Sequence, residues 1–292
     1  MRPLECPVPT LAAMTSATNS PHSPCIGVFD SGLGGLSVLR AVRRLLPQAR
    51  LLYVADSGFA PYGEREATFV RQRSLTIAQF LRRQGAQMLV VACNTATAAA
   101  VQDLRERFTG WPIVGVEPGV KPAGASTRNG RIGVLATEGT LRSGRFQLLA
   151  QAHAAHVQLY LQPCPGLAAA IEHGDLDAPE LLDTVERCCQ PLRAAAVDTV
   201  VLGCTHYPFV AHHIQAALGP SVRLIDTAEA VARRTSQLLP NSPGPRRTPP
   251  AHDEPVRLWT TGDAALLSEV TRRWLDFPCR VARLGEEPAD PA

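Results

Sequence analysis

Short apolar runs recur along the chain, each closed off by polar residues, glycine or proline: IGVF (26–29), LLYVA (51–55), MLVVA (88–92), PIVGV (112–116), RIGVL (131–135), VQLYL (157–161), TVVLG (199–203), VRLI (222–225) and VRLWT (256–260). Between several of them lie helix-length segments with polar caps, such as EREATFVRQRSLTIAQFLRRQG and APELLDTVERCCQPLRAA. Strand-length apolar runs alternating with helices predict an α/β fold with largely parallel sheets flanked by helices. The stretch PNSPGPRRTPPAHDEP (240–255) is too rich in proline for either element and reads as a surface loop.

The pattern also repeats. RIGVLATEGTLRSGRF echoes CIGVFDSGLGGLSVLR: a strand, small polar residues, a glycine turn, then a helix. Further on, each half offers an apolar strand that ends in cysteine, MLVVACNTATAAAV and TVVLGCTHYPFV, with Cys93 lying 67 residues after Ile26 and Cys204 lying 72 after Ile132. Two pseudo-symmetric α/β halves are predicted, each presenting one cysteine at the carboxyl end of a strand, where open α/β sheets bind ligands. If the halves face each other, both thiols approach one cleft.

Composition narrows the partners. Hydrophobic content of 45% over 292 residues excludes wholesale disorder and suits two domains of ordinary size. No apolar run reaches bilayer length, which argues against a membrane partner. The net charge of +3 is small and the arginines are scattered along helices, which argues against nucleic acid. The eight cysteines show no C-x-x-C pair and no zinc spacing, so no metal is expected and the thiols read as reduced in a cytoplasm. Residues 1–24 read as a flexible tail, not a secretion signal, and Met14 is a candidate start. Lys121, in the turn-like EPGVKPAG, is the only lysine.

The glycine cluster of FDSGLGG raises the question of a dinucleotide loop, since strand, Gly-x-Gly and helix are all present and Asp56 ends the next strand run. Ser37 at the third glycine position, and the Asp30 carboxylate where a pyrophosphate would settle, argue against it.

Several residues are candidates for chemistry. Cys93 precedes the helix-forming run NTATAAAVQDLRER, and a helix N-terminus favours thiolate; the competing reading is a buried small hydrophobe. The second copy at Cys204 tips the balance. His206 is a candidate acid/base or a packing histidine, Asp30 a catalytic partner or a helix cap, and Tyr62 a residue that closes over a ligand or an ordinary turn residue. Glu172 alone would read as a solvated helix end. Cys188 and Cys189 fall in a helical pattern and read as packing residues, while Cys164 and Cys279 flank prolines and read as structural. His212 and His213 are adjacent, so a regular helix would not turn both to one metal.

FDSGLGG, ADSGFAPYG, VVACNTATA, EPGVKPA and LGCTHYP together resemble, in order and spacing, the glutamate racemase family, over roughly residues 25–285. Aspartate racemases of the same superfamily typically carry a glycine-methionine-glycine turn where this chain has Asp30-Ser31-Gly32. The resemblance implies a cofactor-independent racemisation of glutamate in which Cys93 and Cys204 act as acid and base on opposite faces of the α-carbon. It implies assistance from Asp30, Glu172 and His206, and substrate binding by Asp30, Ser31, Tyr62, Gly63, Asn94, Thr95, Thr137, Thr140, Thr205 and His206. Gly166 to Ala170 depart from the bulkier residues usual in the family, which leaves Glu172 less firmly placed than the cysteines. Thiol pKa values near about 8.5, lowered by a helix terminus, would make a mixed thiol–thiolate pair reachable near neutral pH, with Cys93 and Cys204 as the accessible thiols.

The resemblance further implies a homodimer and a supply of D-glutamate for peptidoglycan. It sets one domain at 25–116 plus 227–292 and the other at 117–226, with the site in the cleft between them. A related racemase or isomerase of aspartate, hydantoins or maleate, a pyridoxal-phosphate racemase, and an amino-acid-binding protein with incidental cysteines are the rival readings. The pyridoxal route would need Lys121 for its Schiff base.

Overall fold

A computed structural model describes residues 23–154, 156–173, 175–239 and 255–285. The tail up to residue 22, with Met1, Cys6 and Met14, and the proline-rich stretch 240–254 lie outside the described residues. Each of the nine apolar runs forms a strand: β1 Cys25–Asp30, β2 Arg50–Ala55, β3 Met88–Val91, β4 Ile113–Gly115, β5 Arg131–Ala136, β6 Gln158–Pro163, β7 Thr199–Leu202, β8 Arg223–Ile225 and β9 Val256–Thr260. A further strand, β10 Arg280–Arg283, was not expected from the sequence. It lies at a sheet edge, and in its RVAR sequence two exposed arginines flank only two apolar residues, too short for an apolar run.

The strands form two wholly parallel sheets, one in the order β10-β9-β2-β1-β3-β4 and one in the order β6-β5-β7-β8. The order β2-β1-β3-β4 therefore recurs as β6-β5-β7-β8, the structural counterpart of the repeat in the sequence. In each sheet the chain leaves the central strand, β1 or β5, to one side and returns on the other. A crevice opens at that reversal, beyond the carboxyl ends of β1 and β3 and of β5 and β7.

Both faces of the sheets are covered, which is why their strands read as continuous apolar runs. Successive residues of a strand point to opposite faces: Ile26 and Val28 of β1 join one buried cluster, while Phe29 joins another with Leu52, Val54, Ile77, Leu81, Leu89, Val91 and Trp259. The first of these clusters runs on into the second half through Leu135, Leu167, Ile171, Cys204 and Tyr207, so the two halves share one apolar core. The far face of the second sheet is closed by Ile132, Val134, Phe146 and Val201. After β8, the helix Ala228–Leu238 returns to pack on the helix Leu36–Leu45 and leads into β9.

Lys121 does not sit in a turn. It lies exposed on the helix Val120–Ser126, where Pro122 falls in the first turn and its missing N–H has no intrahelical partner to lose. Among the described residues, no helix is long and apolar enough to cross a membrane.

Candidate active site

Cys93 lies two residues beyond β3 and caps the helix Asn94–Arg107, its Sγ accepting from the Ala96 N–H at 3.4 Å. The thiol donates to Ser31 Oγ at 3.6 Å, and Ser31 Oγ donates in turn to Asp30 Oδ1 at 3.0 Å. Asp30, the last residue of β1, is fully buried; its Oδ1 also accepts from the Gly32 N–H at 2.9 Å and its Oδ2 from Thr205 Oγ1 at 2.8 Å. Burial pushes the Asp30 carboxyl up to about 6, against the opposing pull of His206 and of the Thr205 and Gly32 hydrogen bonds. The thiol expected to be lowered by its helix terminus is instead raised. Burial, followed by the Asp30 charge, pushes Cys93 up to about 12, and the Ala96 N–H and Ser31 hydroxyl recover only part of this.

Cys204 follows β7 at the equivalent place in the second sheet. Its Sγ lies 3.6 Å from His206 Nδ1, and His206 Nε2 is hydrogen-bonded to Glu172 Oε1. Glu172 ends the helix Leu167–Glu172 with its side chain only 14% exposed, and it accepts from the Leu33 N–H at 2.5 Å. It is thus a partly buried partner of the site, not the solvated helix end that its sequence context suggests. Burial alone would push His206 down, but the hydrogen bonds and charges of Cys204 and Glu172 outweigh it and hold the imidazole well above its ordinary range.

Gly32 and Gly34 of FDSGLGG are a contact surface between the halves. A Cβ at Gly34 would lie 2.5 Å from His206 Nδ1 and 2.8 Å from Thr205 Oγ1, and one at Gly32 would overlap the Glu172 carboxylate. Neither glycine has a positive φ, so what the turn requires is closeness, not conformational freedom.

A cluster of hydroxyls and amides lines the same cleft. Thr137 follows β5 as Ser31 follows β1; it caps the helix Glu138–Arg142 and bonds both the Thr140 N–H at 3.2 Å and the Thr140 Oγ1 at 3.0 Å. Across the cleft, Thr95 Oγ1 lies 3.0 Å from Thr137 Oγ1. Gly63 packs on Thr137 so tightly that a Cβ there would come within 2.8 Å of the threonine Cβ. The Asn94 Nδ2 is buried with no hydrogen-bond partner, a donor of the kind that a carboxylate satisfies.

Tyr62 belongs to a different network. Its buried O–H donates to Asp56 Oδ2 at 2.5 Å, so the phenol is not free to close over a ligand. Asp56 also accepts two hydrogen bonds from Arg73, at 2.9 and 2.7 Å, and one from Thr261 Oγ1 at 2.9 Å. The residue that resembled a ribose ligand is a buried junction beneath the site.

The remaining cysteines stay out of the cleft chemistry. Cys164, Cys188 and Cys189 lie in the shared core, while Cys279 is partly exposed. Cys93 and Cys204 are 5% and 7% exposed, which overturns the expectation that they are the accessible pair. The rings of His212 and His213 lie close together outside the cleft, their centroids 3.8 Å apart.

The profile of the Asp/Glu/hydantoin racemase family matches residues 26–235. The chain is 50% identical over 252 residues to the glutamate racemase of Ectopseudomonas mendocina, covering 86% of this chain and 94% of the relative. It is 52% identical over 218 residues to that of Pseudomonas aeruginosa, covering 75% and 82%. Among solved structures, glutamate racemase isoform RacE1 from Bacillus anthracis superposes with a TM-score of 0.78 at 32% identity, covering 91% of this chain and 99% of the other. The Escherichia coli glutamate racemase in complex with L-glutamate and the activator UDP-MurNAc-ala superposes with the same score at 34% identity, covering 90% and 98%.

Proposed function

The chain belongs to the Asp/Glu/hydantoin racemase family and, within it, to the glutamate racemases, and from that premise we propose that it interconverts L- and D-glutamate with two thiols and no cofactor. The observation that carries this reading is the pairing of Cys93 and Cys204 at equivalent strand ends of two sheets of the same order, each with its own proton acceptor. Cys93 passes its proton through Ser31 to Asp30; Cys204 passes its own to His206, which Glu172 steadies as imidazolium.

In each turnover a thiolate takes the α-proton and becomes a thiol, leaving the electron pair on the α-carbon. The opposite thiol then gives its proton to the other face and becomes a thiolate, so one proton enters as one leaves. Cys93 attacks D-glutamate and Cys204 L-glutamate. Asn94, Thr95, Thr137, Thr140 and Thr205 hold the substrate carboxylates through hydroxyls and amides, and Tyr62 and Gly63 contribute backbone N–H groups. Asp30 and Ser31 face the ammonium. The sole lysine, exposed on its helix, stands apart from this set.

The same reading takes residues 25–116 with 227–292 as one domain and 117–226 as the other, on the strand membership of the two sheets. It assigns the D-glutamate to peptidoglycan synthesis and the working form to a homodimer, both on the strength of the family. Among the described residues Cys25, Cys93, Cys164, Cys188, Cys189 and Cys204 are free thiols, which suits a reducing cytoplasm.

Circular dichroism of L-glutamate incubated with the purified protein tests the activity. The signal should decay to zero as the racemate forms, while L-aspartate keeps its signal; a steady glutamate signal, or faster loss with aspartate, would sink the proposal.

A further inference from the structure

Outside the cleft, one set of side chains converges without serving the reaction. Asp177 lies in the loop between the helices Leu167–Glu172 and Pro179–Ala194, while His212 and His213 open the helix Ala211–Leu218. One ligand atom from each lies within 4.8 Å of the others, and His213 Nε2 stands 3.0 Å from Asp177 Oδ1. Neighbours on a regular helix point about 100° apart. Here the two histidines sit in the first turn of the helix, just after the 3₁₀ turn Tyr207–Val210, and their rings meet at 3.8 Å and 44°.

We propose that Asp177, His212 and His213 bind a divalent transition-metal ion, with zinc as the type. Two imidazoles and a carboxylate are donors for zinc, nickel or copper, whereas calcium and magnesium take all-oxygen sets. Bonds of about 2.0–2.1 Å to a tetrahedral zinc set neighbouring ligand atoms about 3.3 Å apart, close to the His213–Asp177 separation. The Asp177 side chain is 74% exposed and that of His213 19%, so an ion enters from solvent and keeps water in its remaining position.

The scaffold is already in place. The Asp177 N–H donates to Asp175 Oδ1 at 3.2 Å, and Arg193 Nη1 bonds the Ala217 carbonyl at 2.5 Å, tying the helix that follows the loop to the helix that carries the histidines. The ion would join a segment five residues beyond Glu172 to one six residues beyond His206, outside the cleft but on the two strands of chain that form its imidazole–carboxylate pair.

The test uses full-length, tag-free protein titrated with cobalt(II) chloride and zinc chloride. Wild type should take one equivalent of cobalt, giving visible ligand-field bands without the near-ultraviolet charge-transfer band of a thiolate ligand, and zinc should raise its melting temperature. His213→Asn and Asp177→Asn should weaken binding by at least about tenfold and lose the thermal shift, with the metal-free fold and racemisation rate unchanged. Undiminished binding in both variants, a thiolate band abolished by Cys93→Ala or Cys204→Ala as the sole signal, or no binding at millimolar metal would each overturn the site.

Discussion

Thr205 Oγ1 donates to Asp30 Oδ2 at 2.8 Å, joining two residues 175 positions apart and two halves of the chain. One buried carboxylate therefore answers to both thiols: through Ser31 it reaches Cys93, and through Thr205 it lies beside the segment that carries Cys204 and His206. The site is coupled across the cleft, and its responses to substitution are expected to differ between the two sides.

Cys93→Ala and Cys204→Ala should each abolish racemisation, because one face is left without a proton donor. In heavy water, Cys204→Ala should wash deuterium slowly into D-glutamate only, and Cys93→Ala into L-glutamate only, read by proton NMR at the α-position. Racemisation by either variant at near the parent rate would show that one base serves both faces.

Asp30 offers a test by linkage. Its carboxyl is raised from the ordinary 3.8 to about 6, so the fold binds a proton more tightly than the unfolded chain does. That contribution is fully present below pH 3.8 and is lost as the pH rises through about 6. The gap corresponds to roughly 3 kcal/mol. Urea titrations at about pH 4 and about pH 7 should show Asp30→Asn gaining stability relative to wild type at the higher pH, by an amount of that order. Activity in wild type should fall as the pH drops through about 6, where Asp30 ceases to be a proton acceptor. A pH-independent difference in stability would contradict the assignment.

Alkylation should follow exposure. Of the seven described cysteines only Cys279 is partly exposed, so it should be modified before Cys93 or Cys204, with little loss of racemisation. Cys93, pushed up to about 12, should react slowly at neutral pH, and substrate should slow it further. Mass mapping of partly alkylated protein checks the order, and early modification of Cys93 would refute it.

Gly34→Ala should lower kcat/KM by about a hundredfold, equivalent to roughly 3 kcal/mol, because the new methyl takes the space of His206 Nδ1 and Thr205 Oγ1. Gly144→Ala is the control: nothing lies within 4 Å of its Cβ position, and its stability and activity should be nearly unchanged. Steady-state kinetics and thermal melts of both variants decide the matter.

Much of this architecture is legible in the sequence. Parallel strands covered on both faces announce themselves as apolar runs, and the two cysteine motifs mark matching strand ends. Edge strand β10 is hidden because its arginines face outward, and the helix at Lys121 because Pro122 and Gly124 read as a turn. Glu172 looks solvated until the fold brings Leu33 and His206 to it from 139 and 34 residues away. The direction of the Cys93 shift is misjudged for a similar reason: a helix terminus is visible in a sequence, whereas burial beside Asp30 is a property of the assembled site.

The first sheet also carries a constraint on biosynthesis. β2 pairs on one side with β1 and on the other with β9, which is made only after every strand of the second sheet. As the chain leaves the ribosome, that edge of β2 has no native partner until Val256–Thr260 emerges, whereas β5 to β8 arrive in one uninterrupted stretch. The smaller sheet can be complete while the larger still offers an open, adhesive edge. Emergence of Val256–Thr260 is therefore what seals the half that holds Cys93.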